Sequence, residues 1–182
     1  MSMSTRPKNP STLRGRRMPA WKRVAGTTMM EVLISLLVLS GGMLGLAGVQ
    51  STSLRNNQAA YYRTLATTFT QDIVERMRAN IEGVEDGGYD DVAGAATGAC
   101  FTVVGCTDIQ MAAQDILDWE AMVAAALPGA ATVVCVDSTA DDGSPGAESC
   151  DGIGDVYAIK IWWDDNRDGT SATRFVTAFQ PL

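Results

Sequence analysis

The chain has 182 residues, with 14 Lys+Arg against 21 Asp+Glu and no histidine. That length suits one domain with appendages, and the missing imidazole excludes histidine triads, histidine general bases and histidine metal ligands. The charge is divided: residues 1–26 hold seven basic side chains and no acid, while the rest holds seven basic and 21 acidic groups, so the body offers no cation cluster for a phosphate backbone and no nucleic-acid contact is assigned.

Residues 1–25 are polar and basic, carry Pro7, Pro10 and Pro19, show no apolar periodicity and read as disordered. Met29 to Val49 is a run of 21 residues with one charge, Glu31. About 20 apolar residues suffice to cross a bilayer as a helix. The basic residues just before the run predict a cytoplasmic N-terminus and an exported body, in a single-pass arrangement in the inner membrane. An ordinary secretory signal has a shorter apolar core and is cut after it. Here the attractive processing point, Ala25-Gly26, precedes the run. A cut there removes the basic leader and keeps the membrane helix; the alternative is a signal anchor that is never cut.

Past Ser51–Ser53, apolar residues recur at helical spacing: Tyr61 or Tyr62, Leu65, Phe69, Ile73, Met77 and Ile81. Polar and charged residues such as Arg55, Arg63, Asp72 and Arg78 fall on the other side, so an amphipathic stretch continues the membrane helix. From Thr27 to Asn80 the expectation is one rod of about 80 Å at 1.5 Å per residue, ended by Gly83, Gly87 and Gly88. Residues 82–106 read as an acidic, glycine-rich loop. Thr107-Asp108-Ile109-Gln110 fits a capping box, and Ile109, Ala112, Ile116, Trp119, Val123 and Leu127 form one apolar face, stopped by Pro128-Gly129.

The remainder reads as strands. Thr132–Val136 is short and β-branched, Asp137–Gly154 is turn-rich, Val156–Trp163 alternates with Tyr157, Ile159, Ile161 and Trp163 on one side, and Thr173–Phe179 alternates with Phe175, Thr177 and Phe179. A hairpin across 164–172 completes an antiparallel meander of about three strands. The fold class expected is α+β: a long N-terminal membrane-spanning helix packed on a small antiparallel head with one extra helix. The divisions are 1–26 (leader), 27–50 (membrane and assembly part of the helix), 51–81 (amphipathic part) and 82–182 (disulfide-bonded head).

Cys100, Cys106, Cys135 and Cys150 form no C-x-x-C pair, so zinc-site and thioredoxin-like spacings are absent. An even count in an exported domain reads as two disulfides rather than free thiols. Three pairings are possible; Cys100–Cys106 and Cys135–Cys150 are favoured because each closes a short segment rich in turn residues. Asp164, Asn166 and Asp168 followed by Gly169 match the start of a D-x-N-x-D-G calcium loop, but the twelfth position is Phe175 where a bidentate Glu is required; a polar hairpin turn fits the same residues. The acid pairs Asp90-Asp91 and Asp141-Asp142 lie in glycine-rich loops without a companion nucleophile or apolar pocket and read as solvated. Gly41 and Gly45 make a GxxxG match, a weak signal alone. No nucleotide-binding fingerprint is present, no cofactor is expected and no enzyme is indicated.

Glu31 is the exceptional residue. A carboxylate in an apolar 21-mer is costly unless paired. A cut after Gly26 creates an α-amino group at Thr27, four residues away, and a staggered neighbouring chain could set its Glu31 against that amine. Gly26-Thr27-Thr28-Met29-Met30-Glu31-Val32-Leu33 resembles the class III signal of type IV prepilins: a basic leader ending in Gly, an apolar run, and Glu fifth after the cut. Leu36 to Gln50, Gln110 to Leu127, and Ile161-Trp162-Trp163-Asp164-Asp165 are similar to the minor pilins of the PilV, or pilus modification, branch. The resemblance implies a prepilin peptidase that cuts after Gly26 and N-methylates Thr27, a type IV pilin-like fold, and a priming, tip-proximal place in an envelope-spanning pilus that ends at the cell surface. It implies as partners the other minor pilins, the major pilin, a tip adhesin and the inner-membrane assembly platform. The chain departs from the family at Thr27, where most members present Phe, and at Gly48, where major pilins often carry Pro. A type II secretion pseudopilin shares the leader and Glu31 and is the runner-up; a signal-anchored periplasmic binding module or enzyme is the third reading.

Overall fold

A computed structural model describes residues 28–170 and 173–181. The expected leader, the cleavage point Gly26–Thr27 and the methylation site Thr27 lie outside the described residues. The first helix, α1, runs Met29–Ala79 over 51 residues. The chain divides into two compact units, Met1–Ala47 and Gly48–Leu182.

In the first unit, α1 has every described side chain exposed. Val32, Leu33, Ile34, Leu36 and Leu37 all stand open. This helix alone is long and apolar enough to cross a membrane among the described residues, and none of its most apolar stretch is buried.

In the second unit, α1 becomes amphipathic and buries Tyr62, Ala66, Thr70, Ile73, Val74 and Met77. Of the two tyrosines left open by periodicity, Tyr62 turns inward and Tyr61 outward. The helix does not continue to Ile81. Asn80 leaves helical geometry with φ −122° and ψ 57°, and a separate short helix, α2, spans Ile81–Glu85. Gly83 therefore lies inside a helix rather than ending one. A Cβ there would stand 2.4 Å from Asn80 Nδ2, so glycine permits the break to fold back on itself. Gly87, at φ +75°, closes α2.

Residues 92–97 carry no regular secondary structure and run beside the next helix, α3 (Asp108–Ala126), with the Ala95 N–H donating to Ala113 O at 2.9 Å and the Thr97 N–H to Gln114 Oε1 at 2.7 Å. A 3-10 turn, Gly98–Phe101, follows. The capping box at α3 is formed: the Gln110 N–H donates to Thr107 Oγ1 at 3.3 Å and the Thr107 N–H to Gln110 Oε1 at 3.1 Å. Ala112, Ile116, Trp119, Val123 and Leu127 are buried, while Ile109 stays exposed.

Three strands, β1 (Ala131–Val136), β2 (Tyr157–Trp163) and β3 (Thr173–Phe179), form an antiparallel sheet in the order β1-β2-β3, with Val134 opposite Ile159 and Ile159 opposite Thr177. Ile159, Ile161 and Trp163 join one core with Ile73, Met77 and Trp119. The alternation of β2 predicts one solvent-facing side, yet all seven residues are buried. Residues 137–154 cover the second face, where Val133, Cys135 and Trp162 form a separate apolar cluster against Cys150.

Candidate functional site

Glu31 sits in the first turn of α1. Its backbone N–H donates to Thr28 O at 2.9 Å, and its carbonyl accepts the Ser35 hydroxyl at 2.7 Å. Its side chain is exposed and its carboxylate has no partner among the described residues. Around it, α1 presents only apolar and small side chains as far as Val49. A Cβ built on Gly41 or Gly45 meets nothing within 4 Å, so neither glycine serves packing inside the chain. Among the described residues the segment is thus an uncovered apolar helix with one carboxylate.

The cysteines pair as Cys100–Cys106 and Cys135–Cys150, at sequence separations of 6 and 15. The second bridge pins residues 137–154 over the sheet. Cys135 is fully buried in β1, and Arg174 of β3 holds the same loop from the other edge through Asp141 Oδ1 at 2.6 Å and Gly143 O at 3.1 Å.

Beneath that cover lies Lys160, in the middle of β2 and wholly buried. Its Nζ stands 2.5 Å from Asp137 Oδ2, 2.9 Å from Asp142 Oδ1 and 2.8 Å from the carbonyl oxygen of Glu148. Asp137 is also buried; Oδ2 makes only this ion contact, which is not aligned as a hydrogen bond, while Oδ1 accepts the Thr139 N–H at 2.9 Å. Burial alone would lower the Lys160 pKa; the close carboxylates of Asp137 and Asp142, with the hydrogen bond to Asp142, outweigh it and hold the ammonium above its ordinary value. Lys160 correspondingly lowers Asp142, with help from the Thr139 hydroxyl.

The acid pairs lie in loops, with Asp91 and Asp141 exposed as expected, and they also anchor those loops to the sheet. Asp90 Oδ1 accepts the Val136 N–H at 2.7 Å, and the Asp91 N–H donates to Val134 O at 2.9 Å, so this pair closes the free edge of β1. Asp141 and Asp142 hold Arg174 and Lys160. Another network ties α1 to α3. Arg76 bonds Asp72 at 2.9 Å and Asp115 at 3.2 Å, and Asp115 accepts the Tyr89 hydroxyl at 2.7 Å.

Asp164, Asn166 and Asp168 sit in the β2–β3 turn. Asp164 accepts the backbone N–H of Asp168 at 3.2 Å on Oδ1 and of Gly169 at 2.7 Å on Oδ2. Burial would raise its pKa; the N–H groups of Gly169, Asp168, Arg167 and Asn166 outweigh that and keep it below the usual carboxylate value. Asp168 Oδ1 is engaged by the Thr170 N–H at 2.9 Å. These carboxylates act as turn acceptors, and among the described residues no group of three or more acidic or cysteine side chains is placed to hold a metal.

No family model, no curated protein and no solved structure matches the chain.

Proposed function

We propose that the chain is a filament subunit of the type IV pilin kind, a minor pilin of the pilus-modification branch. It is inserted in the inner membrane with its N-terminus cytoplasmic and its head periplasmic, and a prepilin peptidase releases it from residues 1–26. The observation that carries this reading is the unburied apolar part of α1 with its lone Glu31, unpartnered among the described residues, on the same helix that builds one wall of a disulfide-bonded α+β head. A signal anchor needs the apolar run but has no use for a carboxylate near its start. A subunit passing from lipid into a bundle of identical helices does have one. Within a chain, Glu31 and an amine at Thr27 stand about one helical turn apart, a weak, solvent-frayed contact. Between staggered chains the two meet away from water, where an ion pair is much stronger, and each axial step then has one register.

The test is Glu31→Ala and Glu31→Gln in cells that make the filament. Both variants lose their leader normally, since the carboxylate acts after cleavage. Both are missing from sheared filament fractions, because an unpaired amine left in the filament core costs more than the pair contributes. A Gln variant that enters filaments as well as wild type defeats the charge-pairing role.

A further inference from the structure

After Arg23 the sequence contains six arginines and one lysine, Lys160. That lysine is the only cation of the head with no exposed surface. For a purely structural buried ion pair, arginine is the better residue: it is always charged, weakly hydrated and bidentate. Lysine differs in one chemical respect. Its amine becomes a nucleophile once a proton passes to a neighbouring carboxylate, a step that the guanidinium of arginine does not take.

We infer that Lys160 and Asp137 condense to an intramolecular amide, with Asp142 carrying the proton. The requirements for acyl transfer to an amine are met side by side. The nucleophile, Nζ, stands 2.5 Å from Asp137 Oδ2, and both side chains have 0% exposure, so bulk water is excluded. The electrophile is Asp137 Cγ. Its Oδ1 accepts the Thr139 N–H at 2.9 Å, and this donor faces the oxygen on which negative charge develops. The carrier, Asp142, has Oδ1 2.9 Å from Nζ, and its side chain is 43% exposed, so it exchanges protons with solvent.

The resting pair is ammonium and carboxylate. Proton transfer from Nζ to Oδ2 gives amine and carboxylic acid without changing net charge. Nζ attacks Cγ and the Nζ–Cγ bond forms. Asp142 takes a second proton from Nζ and returns it to Oδ2; the Cγ–Oδ2 bond breaks and Oδ2 leaves as water. The third proton stays on the amide nitrogen, facing the Glu148 carbonyl oxygen that lies 2.8 Å from Nζ. Nothing is oxidised or reduced and no co-reactant is consumed. The product removes two charges from a dry site, where exchanging an ion pair for neutral groups is commonly neutral or stabilising. The link joins Asp137, which follows β1 inside the segment that Cys135–Cys150 closes, to Lys160 at the centre of β2, outside that segment.

The experiment is mass analysis of the head peptides released by proteolysis from the full chain purified from the cell envelope. The wild-type head is expected to be lighter by one water, ~18 Da, than its disulfide-bonded sequence. Proteolysis at acidic residues gives a branched peptide joining Asp137 to Lys160, and an amine-directed reagent finds no free ε-amine at residue 160 after denaturation. Lys160→Arg and Asp142→Asn restore the full mass; mapping of the Cys135–Cys150 disulfide shows that each variant is folded. A folded wild-type chain with both disulfides, full mass and a reactive Lys160 amine overturns the proposal. A link that persists in Asp142→Asn overturns the role given to Asp142. All readouts come from head peptides, so they are independent of leader removal and of the filament reading.

Discussion

The indole N–H of Trp119 donates to the backbone carbonyl of Phe69 at 2.9 Å, joining α3 to α1 across 50 positions of sequence. The ring has no exposed surface, so this one side chain supplies both apolar contact and a directional tie between the two helices. Trp119→Phe keeps much of the ring and loses the bond, an expected cost of about 1 kcal/mol. Trp119→Ala removes both, at about 3–5 kcal/mol. Urea unfolding followed by far-ultraviolet circular dichroism checks the order; equal costs for the two variants would mean that the bond, not the packing, dominates.

Gly83→Ala tests the break between α1 and α2. Helix propensity alone favours alanine by about 1 kcal/mol. The added Cβ would stand 2.4 Å from Asn80 Nδ2, and Asn80 is buried, donating to Tyr89 Oη at 3.2 Å and to Asp108 O at 2.8 Å. Displacing it unpairs buried polar groups, so a net loss of about 1–3 kcal/mol is expected. A thermal midpoint at or above wild type would show that Asn80 moves freely.

Tyr89 gives an alkaline signature. Burial, reinforced by Asp115, pushes its phenol well above the ordinary value. The folded chain therefore keeps a proton that the unfolded chain releases near pH 10. Its contribution is complete below that pH and declines as pH rises further. Tyr157 is raised in the same direction by burial and Asp90. The stability difference between wild type and Tyr89→Phe, measured from pH 8 to pH 11, isolates Tyr89: it is constant up to about pH 10 and shrinks above. A flat difference across the whole range contradicts the assignment.

Local signals were legible because they act within a few residues. The Thr107–Gln110 box, the Pro128-Gly129 stop and the three strands all appear where the pattern places them, although no strand alternates in burial. The cover over the second sheet face was not, because it depends on contacts such as Arg174 to Asp141 and Lys160 to Asp142, far apart in sequence. A hint was present in β2: Trp162 lies on the side assigned to solvent, next to the lone lysine of the head. Glycine misled at residue 83, where it relieves a close approach instead of ending a helix. For the candidate site, Glu31 was conspicuous from composition alone, whereas nothing in the local pattern singles out Lys160.

The central claim concerns where the mature chain starts, since the filament reading needs residues 1–26 removed and α1 retained. N-terminal sequencing or intact mass of the protein extracted from membranes of cells with an active prepilin peptidase measures this directly. The account predicts a chain beginning at Thr27, carrying a methylated α-amino group and keeping the whole apolar segment through Val49. A chain that retains residues 1–26 under those conditions, or one cut after the apolar run, contradicts it.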